Sequence, residues 1–148
     1  MFLFYSCSFT HVVQVENASA APITITYKLR PAPYMQGMFT AQPRIMRKQG
    51  RHHVPDSSTV MDPADSTVRF TLLPGDRTTL ARCFNCTFTG FTRPNASDAF
   101  NPNGPSRMNL YWMKLEQGSA AHTYTPAQLV TLASKTSMQR TVFKLKNV

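Results

Sequence analysis

Three cysteines and four histidines are the residues of this chain best equipped for metal or nucleophile chemistry. Cys83-Phe84-Asn85-Cys86 is a C-x2-C pair, and Cys7 with His11 could complete a Cys3His zinc set. Strand geometry works against it. Cys7 and His11 share a face of an extended segment but lie ~13 Å apart along it, whereas zinc draws its ligands to ~2.0–2.3 Å from one point. Cys83 and Cys86 converge only if their stretch is a turn. Free half-buried thiols in a reducing compartment are therefore the first expectation. A Cys7–Cys86 bridge is the oxidised alternative. His52-His53 could bind metal or sense pH, but adjacent residues of a strand diverge, and in a basic segment they add to a positive patch. Asp62 and Asp65 read as a turn rather than an acid/base pair. No nucleophile elbow, phosphate-binding glycine loop or H-E-x-x-H occurs, so neither an enzyme nor a cofactor is expected.

Charge is the stronger signal. The net charge is +9, and residues 17–55 carry six Lys/Arg with no carboxylate, residues 117–148 four with none, while 56–116 balance six against six. Segregation of this kind suggests phosphates, an acidic surface or acidic neighbours. Arg44, Arg47, Lys48 and Arg51 follow i, i+3, i+4 and i+7 spacing, so a short helix would set all four on one face as an anion-contacting stripe. Lys144 and Lys146 near the end of the chain could do the same. Tyr34, Met35, Met38 and Phe39 are too apolar to stay in water and are expected to dock on a neighbouring subunit. Three N-x-[ST] sequons start at Asn17, Asn85 and Asn95.

The elements that must position these groups read as strands. Period-2 alternation puts Leu3, Tyr5, Cys7, Phe9, His11, Val13 and Val15 on one face of a first strand. Ile23, Ile25, Tyr27 and Leu29 line one face of a second, expected to pair antiparallel with the first across the Glu16–Pro22 turn. Residues 31–67 read as a long irregular Pro/Met-rich connection in which Val54 or Val60 could open short edge strands. Val68, Phe70 and Leu72 line another strand, and Leu73-Pro74-Gly75-Asp76 has the type II turn pattern. A strand with Leu80, Phe84, Cys86 and Phe88 inward and Thr79 and Cys83 outward follows, then a Pro/Asn/Gly-rich loop over 92–106. A strand centred on Leu110 and Trp112 comes next. Thr125-Pro126-Ala127-Gln128 carries a helix start, a capping Thr with Gln three residues on, for a helix near 126–134 that buries Leu129, Leu132 and Ala133. The last strand buries Thr141, Phe143 and Leu145.

Six or seven strands and one short helix, with no βαβ alternation, predict a single all-β domain over residues 1–148. An antiparallel β-sandwich, jelly-roll or immunoglobulin-like, is expected, with a small barrel as alternative. A chain of 148 residues is long enough to bury about two-thirds of its unfolded surface. No apolar run of about 18 residues exists, and the opening MFLFYSCSFTH reads as a strand and not a signal peptide. Membrane partners are therefore not expected, and a virion or intracellular setting is. The function expected is a non-enzymatic structural or assembly protein, a small viral capsid or capsid-associated subunit that meets neighbours, and nucleic acid as a second partner, through its long loops. Two other classes compete: a glycan- or lipid-binding module using Tyr34, Phe39, Tyr111 or Trp112, and a nucleic-acid-binding module using the basic stripe.

Overall fold

A computed structural model of the chain describes residues 10–30, 39–56, 60–84, 109–132, 135–136 and 140–148. The described strands are β1 (Thr10–Asn17), β2 (Ile23–Leu29), β3 (Ile45–Gln49), β4 (His52–Asp56), β5 (Val60–Asp62), β6 (Thr67–Leu72), β7 (Arg77–Phe84), β8 (Leu110–Gln117), β9 (Ala120–Tyr124), β10 (Lys135–Thr136) and β11 (Arg140–Leu145). A single helical turn, α1 (Pro126–Leu129), continues into a 3-10 turn over Val130–Leu132. The chain is all-β, in two antiparallel-rich sheets. Six strands run in the order β10-β11-β1-β7-β3-β4, and five in the order β5-β6-β2-β8-β9. One pairing is parallel, that of β1 with β11.

Alternation explains the faces. His11, Val13, Val15 and Asn17 of β1 are buried, as are Ile23, Ile25, Tyr27 and Leu29 of β2, Val68, Phe70 and Leu72 of β6, and Thr141, Phe143 and Leu145 of β11. Residues of both sheets join one apolar cluster, within which the Tyr27 ring meets Phe39 and Phe70 edge-on, each at 6.3 Å. The cap on α1 forms as its sequence predicts. Thr125 Oγ1 accepts from Gln128 N at 3.4 Å, Gln128 Oε1 accepts from Thr125 N at 2.9 Å, and Leu129 is buried below.

Several expectations are corrected. β1 and β2 do not pair. Each belongs to a different sheet, and the five residues between them carry the chain across. The interval 31–67 is no continuous loop, since β3, β4 and β5 lie within it, although Val54 in β4 and Val60 at the start of β5 do stand in edge strands as expected. Two strand irregularities shift the inward set. Val13 pairs Ala81 and Gln14 pairs Thr79, so Leu80 is an extra residue, and Leu80 and Ala81 are both buried. Unbroken alternation from Leu80 would bury Arg82; the bulge returns it to solvent. On β8, Leu29 pairs Leu110 and Lys28 pairs Trp112, leaving Tyr111 extra. The buried positions then become Met113 and Leu115, and Trp112 is half-buried on the opposite face. Sequence reading also missed β9 and β10. Ala133 and the 92–106 loop lie outside the described residues.

Asn17 closes the end of β1 and ties it to both sheets. Its Nδ2 donates to Ala21 O at 2.8 Å and Leu72 O at 2.9 Å, and its Oδ1 accepts from Ser19 N at 2.9 Å. Its backbone N donates to Asp76 O at 3.0 Å, and its O accepts from Gly75 N at 2.7 Å. The amide is buried with both hydrogens engaged, so this sequon offers no acceptor in the folded chain; Asn85 and Asn95 lie outside the described residues. An Asn17→Ala substitution should cost about 2 kcal/mol, because the buried Leu72 carbonyl loses this donor and Ser19 N loses the Oδ1 acceptor. Urea titration checks it, and a shift below ~0.5 kcal/mol would show that water replaces the amide without loss.

Candidate functional site: a basic sheet face

The stripe Arg44, Arg47, Lys48 and Arg51 does not form on a helix. Residues 45–56 make the β3–β4 hairpin, closed by the two-residue turn Gly50-Arg51 with Gly50 at φ +59°, a backbone region that suits glycine at that position. Strand alternation therefore divides the four. Arg47 turns inward with Ile45. Its Nε donates to Asp56 Oδ2 at 2.7 Å, and its Nη1 donates to Asp76 Oδ2 and, at 3.0 Å, to Thr71 O in the other sheet. Asp76 is 2% exposed, and also accepts from Leu73 N at 2.8 Å and Lys48 N at 2.9 Å. Burial works against the charge on Arg47, but hydrogen bonds to Asp56 and Asp76 outweigh it and hold the guanidinium's pKa above its ordinary value. Arg47 is a staple inside the fold and not a contact for an outside anion.

Lys48 turns outward beside the Pro74-Gly75 turn. The turn forms as predicted, with Asp76 N donating to Leu73 O at 3.0 Å and Gly75 at φ +82°. A side chain at Gly75 would meet Lys48 Cδ at 2.3 Å, so the lysine stem lies over the glycine. His53, opposite Lys48, places Nε2 3.2 Å from Gly75 O. Arg44, Arg51 and Lys146 are exposed.

The larger accumulation of charge brings Lys144, which the sequence singled out, together with Arg77, Arg82 and Arg140, which it did not. On β11 the outward positions are Arg140, Val142 and Lys144, on β1 Thr10, Val12, Gln14 and Glu16, and on β7 Arg77, Thr79, Arg82 and, by its register with Thr10, Phe84. Register fixes their rows. Lys144, Glu16 and Arg77 form one row across the three strands, Val142, Gln14 and Thr79 the next, and Arg140, Val12 and Arg82 the third. Four exposed cations thus stand at the corners of a rectangle ~10 Å across two strand spacings and ~13 Å along the strands. Met46 of β3 extends the first row beyond Arg77, and Lys48 follows two residues on. Among the residues whose burial is described this face sets five cations, Lys48, Arg77, Arg82, Arg140 and Lys144, against one carboxylate, Glu16.

The outward face of the five-stranded sheet is different. Its lysines are neutralised at short range, Lys28 by Asp65 at 2.6 Å and Lys114 by Glu116 at 2.8 Å. Hydrogen bonds from Lys28 and Thr67 hold the Asp65 carboxyl below the usual carboxylate range, and that from Lys114 does the same for Glu116. Between these pairs, Thr24 and Thr71 hydroxyls meet at 3.0 Å. With the exposed Arg69 of β6 and Asp62 of β5 counted, this face sets three cations, Lys28, Arg69 and Lys114, against three carboxylates, Asp62, Asp65 and Glu116, so its formal charges balance.

The remaining candidates do not converge on a centre. Phe39 is 2% exposed and packs in the chain's own core, where the Asn109 side chain holds its backbone N and O at 2.8 and 2.9 Å. It is not a partner contact. Tyr34, Met35 and Met38 lie outside the described residues, as do Cys7 and Cys86 of the zinc set. His11 is buried with Nε2 3.0 Å from Thr141 Oγ1, and its strand position pairs that of Cys83. No group of three His, Cys, Asp or Glu able to hold a metal occurs among the described residues. Tyr111 is 46% exposed, with Arg30 Cζ 5.0 Å from its ring centroid. No helix among the described residues is long and apolar enough to cross a membrane.

Comparison of the chain with protein-family models, with curated proteins and with solved structures finds no match in any of the three. What defines its class is the fold and the face: an all-β chain in two sheets, one outwardly neutral and one outwardly basic.

Proposed function

We propose that this chain is a non-enzymatic assembly protein, a β-sandwich subunit of the capsid type that binds an anionic partner on the outward face of its six-stranded sheet. The observation that carries this is the unequal charge of the two outward faces, with Arg77, Arg82, Arg140 and Lys144 gathered around β1. A single apolar cluster drawing on both sheets supports the sandwich reading, because two sheets that share a core bury their inner faces against each other. Strand residues on a rigid sheet hold charges at fixed separations, which suits a repeating partner better than a mobile tail does. The partner surface expected from Tyr34, Met35 and Met38 belongs to the same reading, as the contact with neighbouring subunits.

Light scattering at low salt, with and without a polyanion, tests it. The expected result is a species well above the 16.6 kDa monomer when the polyanion is present, and dissociation of that species at high salt. A monomer under every condition would overturn the assembly reading.

A further inference from the structure

We infer that β9 is a subunit contact, at which two copies of this chain pair antiparallel, edge to edge, about a two-fold axis at His122. Among the described strands, β10 and β4 end one sheet, β5 and β9 the other. An open edge is a template for another strand, and folded chains blunt it with proline, charge or shortness. β10 spans two residues, β5 spans three, and β4 carries Pro55. β9 spans five, with no Pro, Lys, Arg, Asp or Glu among them and no bulge. Its Ala121, His122 and Thr123 are exposed.

Register shows which backbone groups of β9 are open. The two-residue turn Gly118-Ser119, with Gly118 at φ +58°, is closed by the hydrogen-bonded pair Gln117–Ala120. Alternation makes Leu115–His122 and Met113–Tyr124 the next such pairs. Ala121 and Thr123 therefore turn their N–H and C=O away from β8, and among the described residues these groups meet no other partner.

A second copy fits this edge because the edge is complementary to itself. A two-fold at His122 sets Ala121 against the partner's Thr123 and Thr123 against the partner's Ala121, each pair exchanging both backbone bonds. A two-fold at Thr123 would call on Thr125, whose N already donates to Gln128 Oε1 and whose O accepts from Leu129 N. One at Ala121 would run into the turn at Ser119. Centred on His122, the large Tyr124 faces the partner's small Ala120, and the row through Lys114 and Thr123 ends on the partner's Glu116. β9 also borders the outward face whose formal charges balance, where two copies of a +9 chain meet with least repulsion. The contact does not depend on the basic face, which lies on the other sheet.

Sedimentation of the purified chain over a range of concentrations, without polyanion, tests the contact. An edge this short buries less than ~1,000 Å², so the mass should rise from 16.6 kDa toward that of a dimer only as concentration rises. Salt should leave this pairing unchanged or tighten it, because it screens the repulsion between two basic chains. Ala121→Pro removes an N–H that lies outside the β8–β9 ladder, and should weaken the dimer by about 30-fold through two lost backbone bonds. Thr123→Val keeps the backbone and should pair as the unaltered chain does. His122→Cys should cross-link two copies under mild oxidation, since non-hydrogen-bonded partners stand ~4.5 Å apart at Cα, within disulfide reach. Ala121→Cys and Thr123→Cys should not exceed the background set by the native cysteines.

A monomer at every concentration would overturn the contact, and assembly restored by polyanion would then leave the anion-binding reading standing. A dimer indifferent to Ala121→Pro and not cross-linked through His122→Cys would overturn it too. So would a dimer that dissociates as salt rises, which would assign association to the charged face.

Discussion

An Asp76→Ala substitution should destabilise the fold by about 3 kcal/mol, the lower end of what removing one partner of a buried ion pair costs. Asp76 is 2% exposed and meets three donors: the Arg47 guanidinium and the backbone N–H groups of Lys48 and Leu73. Alanine leaves all three without that acceptor. Two circumstances keep the loss from the top of the range. The Arg47 side chain is 21% exposed, and it retains Asp56. A second substitution, Arg47→Met, made in the Asp76→Ala background should recover part of the stability, because the damage is chiefly an uncompensated charge. Urea titration of the four proteins of the cycle checks this. Additive losses from the two substitutions would mean that the pair does not act as one unit.

The second large effect concerns pH. Tyr27 is fully buried, its hydroxyl donates to Thr40 O at 2.6 Å, and burial pushes the phenol far above its ordinary value of 10.0. The folded chain therefore keeps this proton at any pH where the unfolded chain loses it. A raised folded pKa gives stability that is complete below pH ~10 and declines above it, here by about 1.4 kcal/mol per pH unit. By pH 12 the decline from this group approaches about 3 kcal/mol. Tyr27→Phe should cost about 1 kcal/mol at neutral pH, for the lost hydrogen bond. It should also remove one proton's worth of the alkaline slope. The difference between the two stability–pH curves isolates Tyr27 from the other tyrosines and the lysines. Parallel curves above pH ~10 would show that the phenol ionises equally in both states.

Much of the scaffold was legible because burial enforces alternation. β2, β6 and β11 present the inward residues that period-2 reading assigns, and the Thr125 cap is a local motif that needs no tertiary help. What failed did so for identifiable reasons. The β3–β4 hairpin has no apolar stripe. Arg47 enters the interior only because Asp56 and Asp76, distant or apparently polar in sequence, meet it there. β9 is an edge strand of mostly exposed residues, so hydrophobic patterning had nothing to mark, although Gly118-Ser119 supplied a two-residue turn. The bulges at Leu80 and Tyr111 leave no signature in residue type, yet each flips the parity of everything beyond it. A short link between strong strands suggested a hairpin for β1 and β2, where it instead changes sheets.

The basic face illustrates a different limit. Charge counted along the chain made 56–116 neutral and pointed to 17–55. In space, Asp76 is buried and Asp65 is spent on Lys28, while Arg77 and Arg82 emerge beside β1 and Arg140 and Lys144 arrive on its other flank. Sequence proximity had hidden a cluster that only sheet order assembles.

The parallel pairing of β1 with β11 has a consequence in time. Buried contacts such as His11 with Thr141 span 130 residues, and contacts of that separation form late, after their closure entropy has been met. On the ribosome β11 follows every other described strand, so a nascent chain carries Arg77 and Arg82 long before Arg140 and Lys144 stand opposite them. The four-cornered face comes into being only as the six-stranded sheet is completed. A growing chain, surrounded by RNA, does not yet display it; the folded protein does.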